Sequence, residues 1–282
     1  MKIFVLNSSG NAGKSLITRE LFYPRMENAK IIEIETVNSG GNAFSCLNIQ
    51  KYKGDEDFTS VYMDVMENEN LILDVGASNL TVFWENMKQF AGVEETFDYF
   101  VIPTSSSQKI QEDTFKTIEF LRSEGIPDEK IKVIFNKVST TVQQDFEVLL
   151  SVDFPFSEEL YLKNNEALFN DLGFLKKTIF EIFNPDINGY KAQIMSAKTG
   201  EERLKLVKMD LSNRQAQKIK VRMDAIFEEI TENKALWIEN DNKPTKTKKA
   251  TPKPKTTPKK EEAPIKENEV NESGVNEDDE EI

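Results

Sequence analysis

Short apolar runs alternate with longer mixed stretches from the start of the chain to about residue 185. Runs of strand length fall at Ile3–Leu6, Ile31–Ile34, Leu71–Val75, Phe97–Ile102 and Ile131–Phe135. They are near-continuously apolar rather than alternating, which suits strands buried on both faces. Between them lie segments with helical character: Lys14–Phe22, Phe58–Asn68, Thr81–Gly92 and Ile110–Glu124. Pro24 is expected to end the first of these helices. Strand–helix repetition of this kind predicts an α/β fold, a mostly parallel sheet flanked by helices.

The pattern changes from about Ala192. Residues 199–236 contain no strand-like run and many helix formers. Leu204, Leu206, Val207 and Leu211, then Ile219, Val221, Met223, Ile226, Phe227 and Ile230, predict an amphipathic helix or helical pair. The spacing loses its period near Leu211–Asn213, so a break is expected there, and Trp237 is expected to pack on the domain. Beyond it, "DNKPTKTKKATPKPKTTPKK" (241–260) carries eight lysines against one acid, and 261–282 carries ten acids against one lysine. Blocks of like charge with few apolar residues bury too little surface to offset chain entropy, so this tail is expected to be disordered. The expected organisation is a domain over 1–190, a helical region over 191–240 and a tail over 241–282.

Composition narrows the chemistry. The 282 residues include one cysteine, Cys46, and no histidine. Histidine-based triads, zinc sites of the HExxH kind and cysteine clusters are excluded. The formal net charge is −13, so nucleic acid would need a local basic patch. No run is long enough for a signal peptide or a membrane-spanning helix, which points to the cytoplasm and to no membrane partner.

Candidate chemistry concentrates in "KIFVLNSSGNAGKSLITREL" (2–21). The phosphate-binding pattern G-x-x-x-x-G-K-[ST] is met in its second half by Gly13, Lys14 and Ser15, but its first glycine is Ser8. The context fits: a strand before, a helix after. Backbone N–H groups at such a turn make a concave anion site. Gly13 would allow close backbone approach, Lys14 would neutralise the β- and γ-phosphates, and Ser15 would ligate Mg²⁺. "NLILDVGAS" (70–78) ends an apolar strand in Asp74, as a Walker B carboxylate does. Glu33 and Glu35, two apart at the end of the second strand, either orient water and metal or are the exposed residues of an edge. "VIFNKVS" (133–139) lacks the aspartate of a guanine reader, and no D-x-x-G follows Asp74, which favours ATP over GTP. Asn136 either touches the adenine or simply ends a strand.

Ser9, Gly10, Asn11, Ala12, Gly13, Lys14 and Ser15, followed by Leu16, resemble the loop of the deviant Walker A ATPases of the ParA/MinD group, K-G-G-x-G-K-[ST]. That loop needs no glycine at position 8. "EIETVN" is similar to the group's D-x-D switch, and "VIPTSSSQ" (101–108) to its strand-four V-P-T segment. "VDFPFSEELYLKNNEALF" (152–169) resembles its proline-bearing loop over adenine, which would put Pro155 near the base. More narrowly, "NSSGNAGKS", "YPRM" and "IEIETVN" look like StbB-type plasmid stability proteins. The resemblance implies ATP and Mg²⁺ as cofactors, Lys14 and Glu35 as catalytic groups, Ser15 and Asp74 at the metal, and a nucleotide-controlled homodimer. Two departures stand out. The group's second lysine is Ser9 here, and its switch aspartate is Glu35, which implies slow hydrolysis.

Arg203, Lys205, Lys208, Arg214, Lys218, Lys220 and Arg222 face only Asp210 within 203–222. They are either a non-specific DNA surface or a solvated helix face. The expected function is a ParA-like switch in plasmid or phage DNA partition, working with a partition or adaptor protein. The alternative is a catalytically weak scaffold that docks partners. A small-molecule kinase would need an arginine-bearing lid, for which there is no clear segment.

Overall fold

The computed structural model describes residues 1–35, 44, 46–53 and 58–235. The expected disorder of the tail and the packing of Trp237 lie outside these residues. Along the chain run β1 (Lys2–Val5), α1 (Lys14–Leu16), β2 (Lys30–Glu35), β3 (Ile49–Lys53), α2 (Phe58–Glu67), β4 (Leu71–Val75) and α3 (Leu80–Lys88). Then come β5 (Tyr99–Thr104), α4 (Gln108–Ser123), β6 (Ile131–Val138), the single turns α5 (Val142–Asp145) and α6 (Glu147–Leu150), and β7 (Tyr161–Lys163). The chain continues through α7 (Glu166–Leu175), α8 (Ile179–Ile182), α9 (Lys191–Ser196) and α10 (Gly200–Thr231). Among the described residues seven strands form one sheet in the order β3-β2-β4-β1-β5-β6-β7. Every pairing is parallel.

Alternate residues of the strands feed two cores. Phe4 and Leu6 point to one face with Ile32, Leu73 and Phe100, under α2, α3 and α4. An aromatic cluster fills this face, with Phe4 5.9 Å from Phe83 and 5.2 Å from Phe97 between ring centroids. Ile3 and Val5 point to the other face with Ile31, Ile72 and Val101, covered by α1, α7, α8 and α10. Each large side chain so buried contributes about 1.5–3 kcal/mol.

The two strands with no counterpart in the sequence reading are the edges. Ile49–Lys53 reads IQKYK, with Lys53 exposed and Lys51 half-buried beside Glu33, and Tyr161–Lys163 is three residues long. An edge strand has no need of a continuous apolar run and is often blunted by lysine. Two boundaries also shift. The fourth predicted strand begins at Tyr99 rather than Phe97, whose ring belongs to the aromatic cluster, and the fifth runs on to Val138.

The first helix keeps α geometry only to Leu16, then opens into a π turn over Ile17–Phe22 and tightens into a 3₁₀ turn over Tyr23–Arg25 that contains Pro24. The break expected at Leu211–Asn213 is absent: α10 runs unbroken for 32 residues. Ser212 and Asn213 point inward, and Asn213 Oδ1 accepts from Asn184 N at 2.9 Å and Gln217 Nε2 at 3.2 Å. One tertiary partner, the Asn184 amide, thus engages Asn213, while Ser212 is simply buried at the position that breaks the apolar period. Ile219, Met223, Ile226, Phe227 and Ile230 are buried at helical spacing, while Leu204, Leu211 and Val221 stay exposed.

Glu20 is buried on the α1 side, and its Oε2 accepts from Ile179 N at 2.9 Å. Burial pushes its carboxyl up to about 7; the Ile179 amide, Arg19 and Arg25 oppose the shift, and Glu181 adds to it. A carboxyl raised on folding adds stability below its unfolded value near 4.5, and that contribution is lost as pH rises through 7. Urea unfolding of wild type and Glu20→Gln should therefore diverge with pH. The wild type should lose up to about 3 kcal/mol relative to the variant between the two values. A pH-independent difference would show that Glu20 does not carry this titration.

Candidate functional site

The loop between β1 and α1 lies at the carboxyl end of the central strand, where parallel sheets place ligands. Asn7 anchors it. Its Nδ2 donates to Pro103 O and to Thr114 Oγ1, both at 2.9 Å, and its Oδ1 accepts from Ser9 N at 2.7 Å. Thr114 in turn donates to Thr104 Oγ1 at 2.9 Å. The loop is thereby fastened to the end of β5 and to α4.

Ser8 continues that fastening. Its N–H donates to Thr117 Oγ1 at 3.3 Å and its hydroxyl to Asp113 O at 3.1 Å. The left-handed positions of the loop are Asn11 (φ 60°) and Gly13 (φ 104°), not Ser8. The geometry therefore asks for no glycine at position 8. It does ask for one at 13, where an added Cβ would stand 2.2 Å from Asn136 Nδ2. Asn136 is buried at the end of β6 and donates to Ala12 O at 3.2 Å, so it braces the loop from below.

Lys14 is buried, and its Nζ donates to Ser9 O at 2.8 Å and to Asn7 O at 3.2 Å. Burial lowers its pKa, and Asp74 partly restores it. Ser9 itself is buried against Asn7, Ala12 is fully buried, and Gly10 and Asn11 are exposed at the turn. Asp74, one residue before the end of β4, is 5% exposed, and its Oδ2 has no hydrogen-bond partner among the described residues. Burial and then Glu33 push its carboxyl up to about 6, against the pull of Lys14, the Ser15 hydroxyl and Arg19. The register sets Glu33 beside Asp74, while Glu35 lies two residues further along the strand, half-buried. Among the described residues no group of three or more His, Cys, Asp or Glu could hold a metal ion.

Beside the loop opens a cleft of about 390 Å³, lined by Asn11, Gly13, Lys14, Ser15, Leu16, Asn136 and Lys137 on one side and by Asn164, Asn165, Phe169 and Asn170 on the other. Pro155 is not there. It lines a separate hollow with Asp128, Ile131, Leu160 and Glu229, beside the amino end of β6 and so at the opposite end of the sheet. The segment expected over the base does reach the cleft, but through the residues after β7. Sequence reasoning also passed over Asn7, although an Asn at a strand end before a turn is a recognisable Asx signal.

The basic residues of 203–222 are largely engaged. Arg214 pairs with Asp210 at 2.8 Å, Lys220 with Asp224 at 2.6 Å, Arg222 with Glu159 at 3.3 Å, and Lys208 with Asp171. Two of these acids, Asp210 and Asp224, belong to α10 itself, and two, Asp171 and Glu159, come from outside it. No helix among the described residues is long and apolar enough to cross a membrane.

No family model matches the chain, and no curated protein matches it. Solved structures similar to it include the MinD cell division protein of Aquifex aeolicus, at 12% identity over 77% of this chain and 97% of that one, with a TM-score of 0.41. A ParA family ATPase from Chlorobium tepidum shares 11% identity over 74% and 98%, with a TM-score of 0.44. A putative plasmid partition protein from Borrelia burgdorferi bound to AMPPNP shares 15% identity over 74% and 98%, with a TM-score of 0.44.

Proposed function

We propose that this chain is a ParA-like ATP-binding switch that hydrolyses ATP slowly and serves plasmid or phage DNA partition or stability. The observation that carries the nucleotide reading is the buried, unpartnered Asp74 Oδ2 facing a glycine-turned loop whose Lys14 ammonium lies inside it. A buried carboxylate oxygen without a donor is costly unless a cation meets it. The residues fit Mg²⁺ delivered with a nucleotide: the Ser15 hydroxyl as ligand and Asp74 in its water shell. When bound, that ion would neutralise phosphate charge. Gly13 and the neighbouring amides would bind the phosphates, and Lys14 would turn from the Asn7 and Ser9 carbonyls to the β- and γ-oxygens. Asn136 and the Asn164–Asn170 side of the cleft would receive the base, and Glu35, at the end of β2, would orient water.

In this reading nucleotide state controls association with a second copy of the chain or with a partition or adaptor protein in the cytoplasm. The pairing of the 203–222 cations weakens the case for DNA binding there. A scaffold that binds nucleotide but barely turns it over is favoured by one feature. Ser9, buried against Asn7, offers no cation to a partner's phosphates.

Calorimetric titration of the purified chain with ATP and with GTP, each with Mg²⁺, tests the nucleotide reading. ATP should bind, and GTP about tenfold or more weakly, because the guanine-reading carboxylate is missing. Absence of ATP binding at millimolar nucleotide would sink it.

A further inference from the structure

Three residues on three neighbouring strands stand in a row that runs from the strand beside β1 to the sheet edge. Lys51 of β3 is in register with Glu33 of β2, and Glu33 with Asp74 of β4. Register partners on parallel strands project to the same face of a sheet, so the side chains share one side. That side also carries α1, with Ser15 and Lys14 at its start. The Lys51 ammonium lies 3.0 Å from Glu33 Oε2. Glu33 is 6% exposed and Asp74 5%, so two carboxylates are buried side by side. At one end of the row Glu33 is neutralised by Lys51. At the other end Asp74 Oδ2 is buried and has no hydrogen-bond partner among the described residues. The row has the makings of a cation site with one half already filled by a side chain.

We propose that Lys51 is a resident counter-ion of Glu33 in this carboxylate pair: a positioning residue that holds Glu33 toward the sheet edge and, by occupying it, keeps a divalent cation from binding tightly at Asp74 with Glu33's help alone. An ammonium and a divalent cation drawn to this carboxylate pair would compete for Glu33, and two like charges brought to one buried carboxylate repel where water is largely excluded. The metal then binds well only when a polyanion arrives with it. Metal and nucleotide occupancy are thereby coupled, and this physiological sense rests on the nucleotide reading above.

The probe is Mn²⁺ alone, without nucleotide, titrated into the full chain and read by electron paramagnetic resonance of free Mn²⁺ and by thermal shift. Removal of one positive charge beside the pair should make Lys51→Met bind Mn²⁺ about tenfold more tightly than wild type. Lys51→Arg should behave as wild type, and the gain should vanish when Glu33→Gln is added to Lys51→Met. A merely structural role would lower the melting temperature of Lys51→Met without moving Mn²⁺ affinity. If Lys51→Met does not fold, Lys51→Gln, which keeps a donor for Glu33, should show the same direction of change. Mn²⁺ affinity within twofold of wild type in either folded variant overturns the proposal. ATP binding measured on the same preparations separates the two readings. A chain that binds ATP but shows no gain in Mn²⁺ affinity overturns the counter-ion role alone. A chain that gains Mn²⁺ affinity but never binds ATP upholds it and removes the nucleotide reading.

Discussion

Lys14→Ala should weaken ATP binding by more than about a hundredfold, equivalent to about 2.7 kcal/mol. Its ammonium lies inside the loop, held by two backbone carbonyls rather than by a carboxylate partner in direct contact. Such a cation can be redirected to a phosphate without breaking an ion pair. Hydrogen bonds to charged groups contribute about 1.5–3 kcal/mol each, and Lys14 would make more than one to the β- and γ-oxygens. Folding should suffer much less. Burial already disfavours the charged lysine, as its lowered pKa records, so its removal relieves a desolvation penalty while leaving two carbonyls less well satisfied. Titration calorimetry measures the binding and a thermal melt the fold. A folded Lys14→Ala protein that binds ATP within threefold of wild type would remove the phosphate-loop assignment.

The centre of the fold was legible because its strands are buried on both faces. Ile3–Leu6, Ile31–Ile34 and Leu71–Val75 are apolar for that reason, and their predicted limits fall within a residue or so of β1, β2 and β4. The edges were not legible, since IQKYK and YLK carry charges that only a neighbouring strand explains. The placing of the loop between strand and helix could be read locally. The role of position 8 could not: whether a serine there is damage or fit depends on Asp113 and Thr117, more than a hundred residues away in sequence. Asn136 is a similar case. Its sequence context suggested base contact or a turn, whereas the contact that explains its burial is with Ala12 O. Pro155 was misplaced for a different reason. A family pattern fixes the order of residues in a segment, but not which end of a three-residue edge strand that segment overlies.

Arg25→Met should lower the unfolding free energy by about 3 kcal/mol, the low end of what breaking a buried ion pair costs. Arg25 closes the first helical stretch from within the core, with its side chain fully buried. Its Nε and Nη2 both reach Asp224 Oδ1 of α10, at 2.9 and 2.7 Å, and its Nη1 donates to Leu21 O at 2.7 Å and Glu20 O at 3.0 Å. One guanidinium thus satisfies the carbonyls freed where the π turn ends and ties that end to the long helix. Methionine fills comparable volume, so the change removes charge and donors rather than packing. The loss stays near the low end because Asp224 keeps Lys220 at 2.6 Å and is not left alone. In urea unfolding, Asp224→Asn should cost at least as much as Arg25→Met, since it takes from a fully buried guanidinium the carboxylate it contacts, and the double variant should cost less than the sum of the two, since the second change removes a group that has already lost its main partner. Strict additivity would mean that the pair contributes nothing as a pair. The α1–α10 junction would then be held by Phe22, Phe227 and their apolar neighbours alone.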